Sequence, residues 1–189
     1  MSVSMTWMYL YYGWIASEVV IALATRTSRN DGNVRDKGTQ ALLWVVILAS
    51  ATACEWIRHV VPANMFGGAS WLRIVGLSLL IAGLAIRWTA VLMLGKAFSA
   101  NVAIRTSQTV RKNGLYRFVR HPSYLGLLLI FLAVGVHSRN WLSLVVMVLP
   151  TTAALLYRIH VEEAALREAF GEEYVAYSRE TKRLIPGLF

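Results

Sequence analysis

Five apolar runs, long enough or nearly long enough to cross a bilayer, govern what this chain can fold into. They cover roughly Met5 to Thr25, Gln40 to Val61, Trp71 to Leu94, Pro122 to Val136 and Trp141 to Ile159. A helix crossing the ~30 Å hydrocarbon layer of a bilayer needs about 20 apolar residues. The first three runs reach that length. The last two are shorter, and only His137-Ser138-Arg139-Asn140 separates them, so they read as a tight helical hairpin. Composition agrees. Of 189 residues, 57% are hydrophobic and 15% charged, against about 25% charged in soluble domains. The sequence therefore predicts an all-α, polytopic membrane protein with about five transmembrane helices in a single domain over 1–189. The first run has no basic residues ahead of it and no clear cleavage site, so it reads as a retained helix rather than a signal peptide.

The charges set the expected orientation. Fifteen of the 19 lysines and arginines lie between residues 26 and 40, between 95 and 121, or from Arg158 onward. Only Arg58, Arg73 and Arg139 lie in the opposite set of connections, and Arg87 is inside the third run. Lysine and arginine accumulate on the cytoplasmic side of membrane proteins, which predicts a cytoplasmic C-terminus and an N-terminus outside. The net charge of +9 does not point to nucleic acid, because the basic residues fill gaps between apolar runs and form no continuous face. The lone cysteine, Cys54, excludes an internal disulfide, and no Cys/His cluster suggests a metal. Gly76 and Gly83 lie two turns apart on one face of the third helix, where small residues permit close packing.

Polar chemistry concentrates on the basic side. Residues 95–121 read as a loop with short extended segments and a turn at Asn113-Gly114. From Arg158 to Ser178, Leu166, Phe170, Tyr174 and Tyr177 recur at three- and four-residue spacing, which predicts an amphipathic helix. The densest cluster is Gly114 to Gly126, with Pro122 placed at the first position of the fourth helix. The start of that helix offers free amides and a partial positive charge to an anionic group, with His121 at its mouth. Read blandly, the same residues only cap and anchor a transmembrane helix. A second cluster, Arg158-Ile-His-Val-Glu162-Glu163, ends the fifth run. Arg158 and Glu162 share a helix face and can simply pair; alternatively, a carboxylate there recognises a cationic or hydroxyl-bearing ligand.

Taken in order, these residues resemble the isoprenylcysteine carboxyl methyltransferases. The resemblance is carried by Tyr116, by Arg120-His121-Pro122-Ser123-Tyr124 with Gly126, and by Arg158-x-x-x-Glu162-Glu163. Phe170-Gly171-x-x-Tyr174-x-x-Tyr177 and Ile185-Pro186 follow, and Gly83-Leu-x-x-Arg87 with Leu94-Gly95 and Phe98 precedes them. It covers roughly residues 71–189, which makes that stretch the expected catalytic core and 1–70 a pair of N-terminal helices. The chain resembles the compact prokaryotic members, without the additional N-terminal helices of larger eukaryotic enzymes.

The resemblance implies S-adenosylmethionine bound at the cytoplasmic ends of the last two helices. Tyr116, His121, Pro122, Ser123, Tyr124 and Glu162 would contact it, with Gln108, Thr109 and Val110 as a second cofactor segment. It also implies that Arg158 holds the acceptor, and that Arg120 and Arg183 lie near the reacting centre. Arg87 has two readings: an intramembrane arginine near the acceptor, or one that pairs or snorkels structurally. A carboxylate acceptor is already ionised at neutral pH and needs positioning, which an arginine fork provides. An amine or thiol acceptor would need a base, such as His121 or a glutamate. The expected partners are the bilayer and a lipophilic or prenylated acceptor, with no metal and no nucleic acid. Two further readings stay open: a phospholipid or other small lipophilic amine or thiol methyltransferase, and a non-enzymatic membrane scaffold or transporter subunit.

Overall fold

A computed structural model describes the chain apart from residues 1, 26–31, 35, 37, 63, 65–66, 68, 96–97, 99–102 and 106–108, and apart from the side chains of 32–34 and 103–105. Nearly all of what it describes is helical. The elements are α1 (Val3–Ala24), β1 (Gly32–Val34), α2 (Thr39–Val60), α3 (Trp71–Leu94), β2 (Ala103–Arg105), α4 (Pro122–His137), α5 (Trp141–Phe170) and α6 (Glu172–Glu180). Four helices, α1, α2, α3 and α5, are long and apolar enough to cross a membrane, and the 16-residue α4 is a shorter apolar helix. The protein is thus an integral, multi-pass membrane protein. Its apolar side chains point outward as well as inward: Leu23, Leu92 and Leu149 are exposed, an arrangement that a hydrocarbon solvent favours and water does not.

Local chemistry sets the helix ends. The Ser2 hydroxyl accepts from the Met5 amide to start α1, and Asn140 accepts from Ser143 to start α5. Pro122 opens α4 as its spacing predicts. Between α1 and α2, the Asp36 carboxylate accepts from the Gln40 amide and from the Thr39 hydroxyl. The single helix expected from Arg158 to Ser178 is instead divided. α5 runs on to Phe170, and Gly171, at φ 52°, ends it and starts α6. A residue with a Cβ adopts that backbone only at a cost. Short extended segments do form on the basic side: β1 and β2 pair antiparallel, Asn33 opposite Ile104. The turn at Asn113-Gly114 leads into a 3-10 helix, Gly114–Arg117.

Helix α3 packs most closely on α4, and glycines make this possible. A Cβ on Gly83 would stand 2.8 Å from the Gly126 carbonyl oxygen, and one on Gly126 would stand 2.8 Å from the Arg87 amide nitrogen. The expected role of Gly83 is therefore met, with Gly126 as its partner. Gly76 packs in the same way against His137. The core between the helices is apolar and dense, built around Trp14, Leu80, Phe131 and Met147. At the end of the bundle where α4 begins and the apolar part of α5 finishes, polar side chains converge.

Candidate active site

The C-terminal tail fixes the entrance to α4. The Arg120 amide donates to the Lys182 carbonyl (2.8 Å) and the His121 amide to that of Arg183 (3.1 Å). This parallel bridge sets His121 and Pro122 against α5. There Glu163 is buried, 2% exposed, and gathers arginine and histidine side chains from the α4 entrance and the tail. Arg120 Nε lies 2.9 Å from its Oε1, Arg183 Nη2 3.1 Å from its Oε2, and His121 Nε2 3.4 Å from Oε1. Arg167, one turn on, lies 3.5 Å away at the rim. Glu163 stands beyond the apolar stretch that ends at Ile159. Burial pushes its carboxyl up, but contact with His121 and Arg120 outweighs burial and holds it down at about 2. Arg120 also donates to the backbone carbonyls of Ser178 and Thr181, so it ties α4, α5 and the tail together.

Beside this hub lies a second chain of contacts. Tyr124 donates to Glu162 Oε2 (2.7 Å) and accepts from Arg158 Nε (2.8 Å). The Tyr124 hydroxyl thus bridges Arg158 and Glu162, which helix spacing places on one face. Asp36 and Thr39 draw the arginine aside, lying 3.1 and 3.0 Å from Nη1. His121 stacks on Tyr124, ring centroids 5.6 Å apart. Behind the site, Arg87 is buried and grips Glu18 of α1 with two bonds, 2.9 and 2.8 Å, while a third goes to the Ser123 hydroxyl. Of the two readings of Arg87, the pairing is present, and the guanidinium does not snorkel.

The structure thus brings together Arg120, His121, Pro122, Ser123, Tyr124, Arg158, Glu162 and Arg183, with Arg87 at their back. Tyr116 is adjacent and structurally occupied: its hydroxyl donates to the Ala90 carbonyl, and its own carbonyl accepts from Tyr177. Burial pushes the Tyr177 hydroxyl up to about 12 and raises those of Tyr116 and Tyr174 as well, so all three remain protonated donors. Thr109 is exposed and Val110 half-buried, on the segment leading to the 3-10 helix. Gln108 lies outside the described residues. Sequence reasoning passed over Glu18 and Asp36 and assigned no role to Glu163. Glu18 did leave a signal: it is the one charged residue in α1, matched by the solitary Arg87 midway along an apolar helix. Asp36 left none, because its partner Arg158 is 122 residues away.

Tyr124 and Arg158 face two environments. On one side is the cluster of Glu162, Glu163 and His121. On the other is an apolar cavity enclosing about 520 Å³ of free space including its open mouth, bordered by α1, α2, Arg87, Leu127 and Phe98. A polar cluster and an apolar cavity thus meet at Tyr124 and Arg158, an arrangement suited to bringing a polar reagent to the head of a lipophilic molecule.

Known proteins share this build. The profile of the isoprenylcysteine carboxyl methyltransferase (ICMT) family matches residues 75–168. Protein-S-isoprenylcysteine O-methyltransferase B of Arabidopsis thaliana is 30% identical over 143 residues, which are 73% of this chain and 73% of that protein. A probable protein-S-isoprenylcysteine O-methyltransferase of Oryza sativa subsp. indica is 30% identical over 175 residues, 90% of this chain and 88% of the relative. The solved structure of the eukaryotic intramembrane Ras methyltransferase ICMT superposes with a TM-score of 0.65 at 26% identity, covering 77% of this chain and 52% of that one. On these matches the chain belongs to the isoprenylcysteine carboxyl methyltransferase family.

Proposed function

We propose that this protein is an S-adenosylmethionine-dependent methyltransferase that esterifies the carboxylate of a lipophilic, prenylcysteine-like acceptor at the membrane. The observation that carries this reading is the position of Tyr124, bonded to Glu162 on its polar side and to Arg158 on the side of the apolar cavity. Family membership supports it, since the relatives are named for this reaction.

The chemistry of the polar cluster suits a methyl donor with a charged amino-acid end. Two buried polar atoms there, the Tyr174 hydroxyl and Arg183 Nε, have no hydrogen-bond partner among the described residues, and buried polar groups are normally satisfied. Tyr116, His121, Pro122, Ser123, Tyr124 and Glu162 would hold it, and Thr109 and Val110 lead the chain toward them, with Gln108 proposed alongside. When bound, S-adenosylmethionine supplies an electrophilic methyl group.

The protein's own residues orient and shield. Arg158 offers a buried, pre-positioned cation to the acceptor carboxylate, which needs no base because it is already ionised. Arg87, neutralised by Glu18, borders the cavity below it. Arg120 and Arg183 hold the tail closed over the pocket through Glu163, which excludes water from the reacting groups. The direct test uses labelled donor with N-acetyl-S-farnesyl-cysteine and with phosphatidylethanolamine. A base-labile methyl ester on the first is the expected product. Label on the lipid amine instead would replace this reading with an N-methyltransferase, and no transfer to either would sink both.

Glu162→Ala is expected to weaken S-adenosylhomocysteine binding about tenfold or more, the loss of one charge-assisted contact, while the protein still folds. Calorimetry in detergent reads this. Unchanged affinity would place the pocket elsewhere.

We also propose that the C-terminus and the active site face the cytoplasm, from the fifteen-to-three division of basic residues. Cysteines placed at Ser2 and Ser178 in a Cys54→Ala background should then react with an impermeant reagent from opposite sides. Labelling of both from one side would refute the topology.

A further inference from the structure

Helix α6 buries two tyrosines three residues apart, Tyr174 and Tyr177, and their hydroxyls differ. The rings meet edge to face, centroids 6.0 Å apart. The Tyr177 hydroxyl donates to the Tyr116 carbonyl (2.7 Å) and so pins α6 to the 3-10 helix. The Tyr174 side chain is at least as deeply placed, at 2% exposed, yet its hydroxyl meets no hydrogen-bond partner among the described residues. A phenylalanine would pack in the same space without the cost of burying an unpaired hydroxyl. That hydroxyl lies in the field of Glu163, Glu162 and Arg120; burial and the two carboxylates keep it protonated, so it has one proton to donate. Neither carboxylate takes it. Glu163 is engaged by Arg120 and Arg183, and Glu162 by Tyr124. Arg183 repeats the pattern: its Nη2 reaches Glu163, while its Nε is buried without a partner among the described residues. Two donors around the Glu163 hub, one from α6 and one from the tail, are thus left over, and what two spare donors match is an anion with two acceptor oxygens.

We propose that Tyr174, together with Arg183 Nε, binds the carboxylate at the amino-acid end of the methyl donor. The inference rests on the donor assignment above and adds a residue of α6 to it. S-adenosylmethionine carries one full negative charge at neutral pH, that carboxylate, whose two oxygens can accept from a phenol and from a guanidinium. The charge balance favours an anion, since three guanidiniums, those of Arg120, Arg167 and Arg183, contact the single carboxylate of Glu163. The Tyr174 ring is buried against Tyr177, so its hydroxyl is positioned before the ligand arrives, and little side-chain freedom is lost on binding.

The test measures, on the intact protein in detergent, calorimetric affinity for S-adenosylhomocysteine and for its decarboxylated analogue, which keeps the nucleoside, the sulfur and the amine. The thermal midpoint without ligand is read alongside. Tyr174→Phe should weaken S-adenosylhomocysteine about tenfold or more, the scale of one hydrogen bond to a charged group, and leave the affinity for the analogue unchanged. Its unliganded midpoint should equal or exceed that of the wild type, because the hydroxyl has no bond to lose in the fold. Arg183→Lys keeps a cation for Glu163 but removes the Nε–H, and should show the same selective loss, which keeps the test decisive if the phenylalanine variant folds poorly. A lowered midpoint with unchanged affinity for S-adenosylhomocysteine would make the hydroxyl structural and overturn the proposal. Equal losses for the two ligands would overturn it as well, since the contact would then not be to the carboxylate. A wild type that binds neither ligand would sink the cofactor assignment itself, and the proposal with it.

Discussion

Glu163→Gln should destabilise the protein by about 3–5 kcal/mol, the scale on which removing one partner breaks a buried ion pair. The substitution keeps the shape of the side chain and removes its charge. Arg120, whose side chain is 9% exposed, would then keep a buried guanidinium facing a neutral amide, and Arg183 would lose its hold on α5. The thermal midpoint in detergent and the resistance of the helices to denaturing detergent both read the loss, and wild-type values in both would show that the cations do not depend on Glu163. The same hub sets an acid limit. The Glu163 carboxyl is depressed from 4.5 to about 2 in the fold, so its contribution is complete above the unfolded value near 4.5. It is lost progressively as pH falls toward 2.

The glutamine variant isolates a contact that was only half visible in the sequence. The adjacent pair Glu162-Glu163 stands out because carboxylates seldom leave an apolar run together, yet spacing alone cannot say which faces the tail. In the structure Glu163 turns to Arg120 and Arg183, and Glu162 turns to Tyr124. Helix periodicity specified the membrane segments well, because apolar runs of that length have few other solutions. It failed at Gly171, where amphipathic spacing continues across a residue whose backbone turns away; there the glycine itself was the available signal. The resemblance gathered His121, Pro122, Ser123, Tyr124, Arg158 and Glu162 into one place, and all of them meet at the polar end of the bundle. The acidic partners of the buried arginines were harder to read. Glu18 and Asp36 lie on elements outside the resembling stretch, and an ion pair between distant segments has no periodicity.

Those hidden partners sharpen what is expected of Arg158. Its guanidinium is 4% exposed and already spans two directions, toward Tyr124 through Nε and toward Asp36 and Thr39 through Nη1. A planar fork can keep both while presenting its charge to an acceptor carboxylate; a lysine ammonium is a point charge on a flexible stem and cannot. Arg158→Lys should therefore lower turnover by about ten- to a hundredfold, the equivalent of one positioned charge-assisted contact of about 1.5–3 kcal/mol. Cofactor affinity should change far less, because the bond from Tyr124 to Glu162 does not pass through the arginine. The competing role is a purely structural one, in which Arg158 only neutralises Asp36 at the start of α2. Asp36→Asn separates the two, since asparagine caps a helix about as well as aspartate but removes the charge. If Arg158 is structural, Arg158→Lys is mild, and Arg158→Ala lowers stability and cofactor binding together, with Asp36→Asn in the same background restoring both. If Arg158 holds the acceptor, Asp36→Asn restores stability to the alanine variant and leaves its turnover low. Acceptor kinetics, cofactor calorimetry and thermal midpoints on the four proteins decide between these outcomes, and near-normal turnover in the lysine variant would end the case for an acceptor clamp.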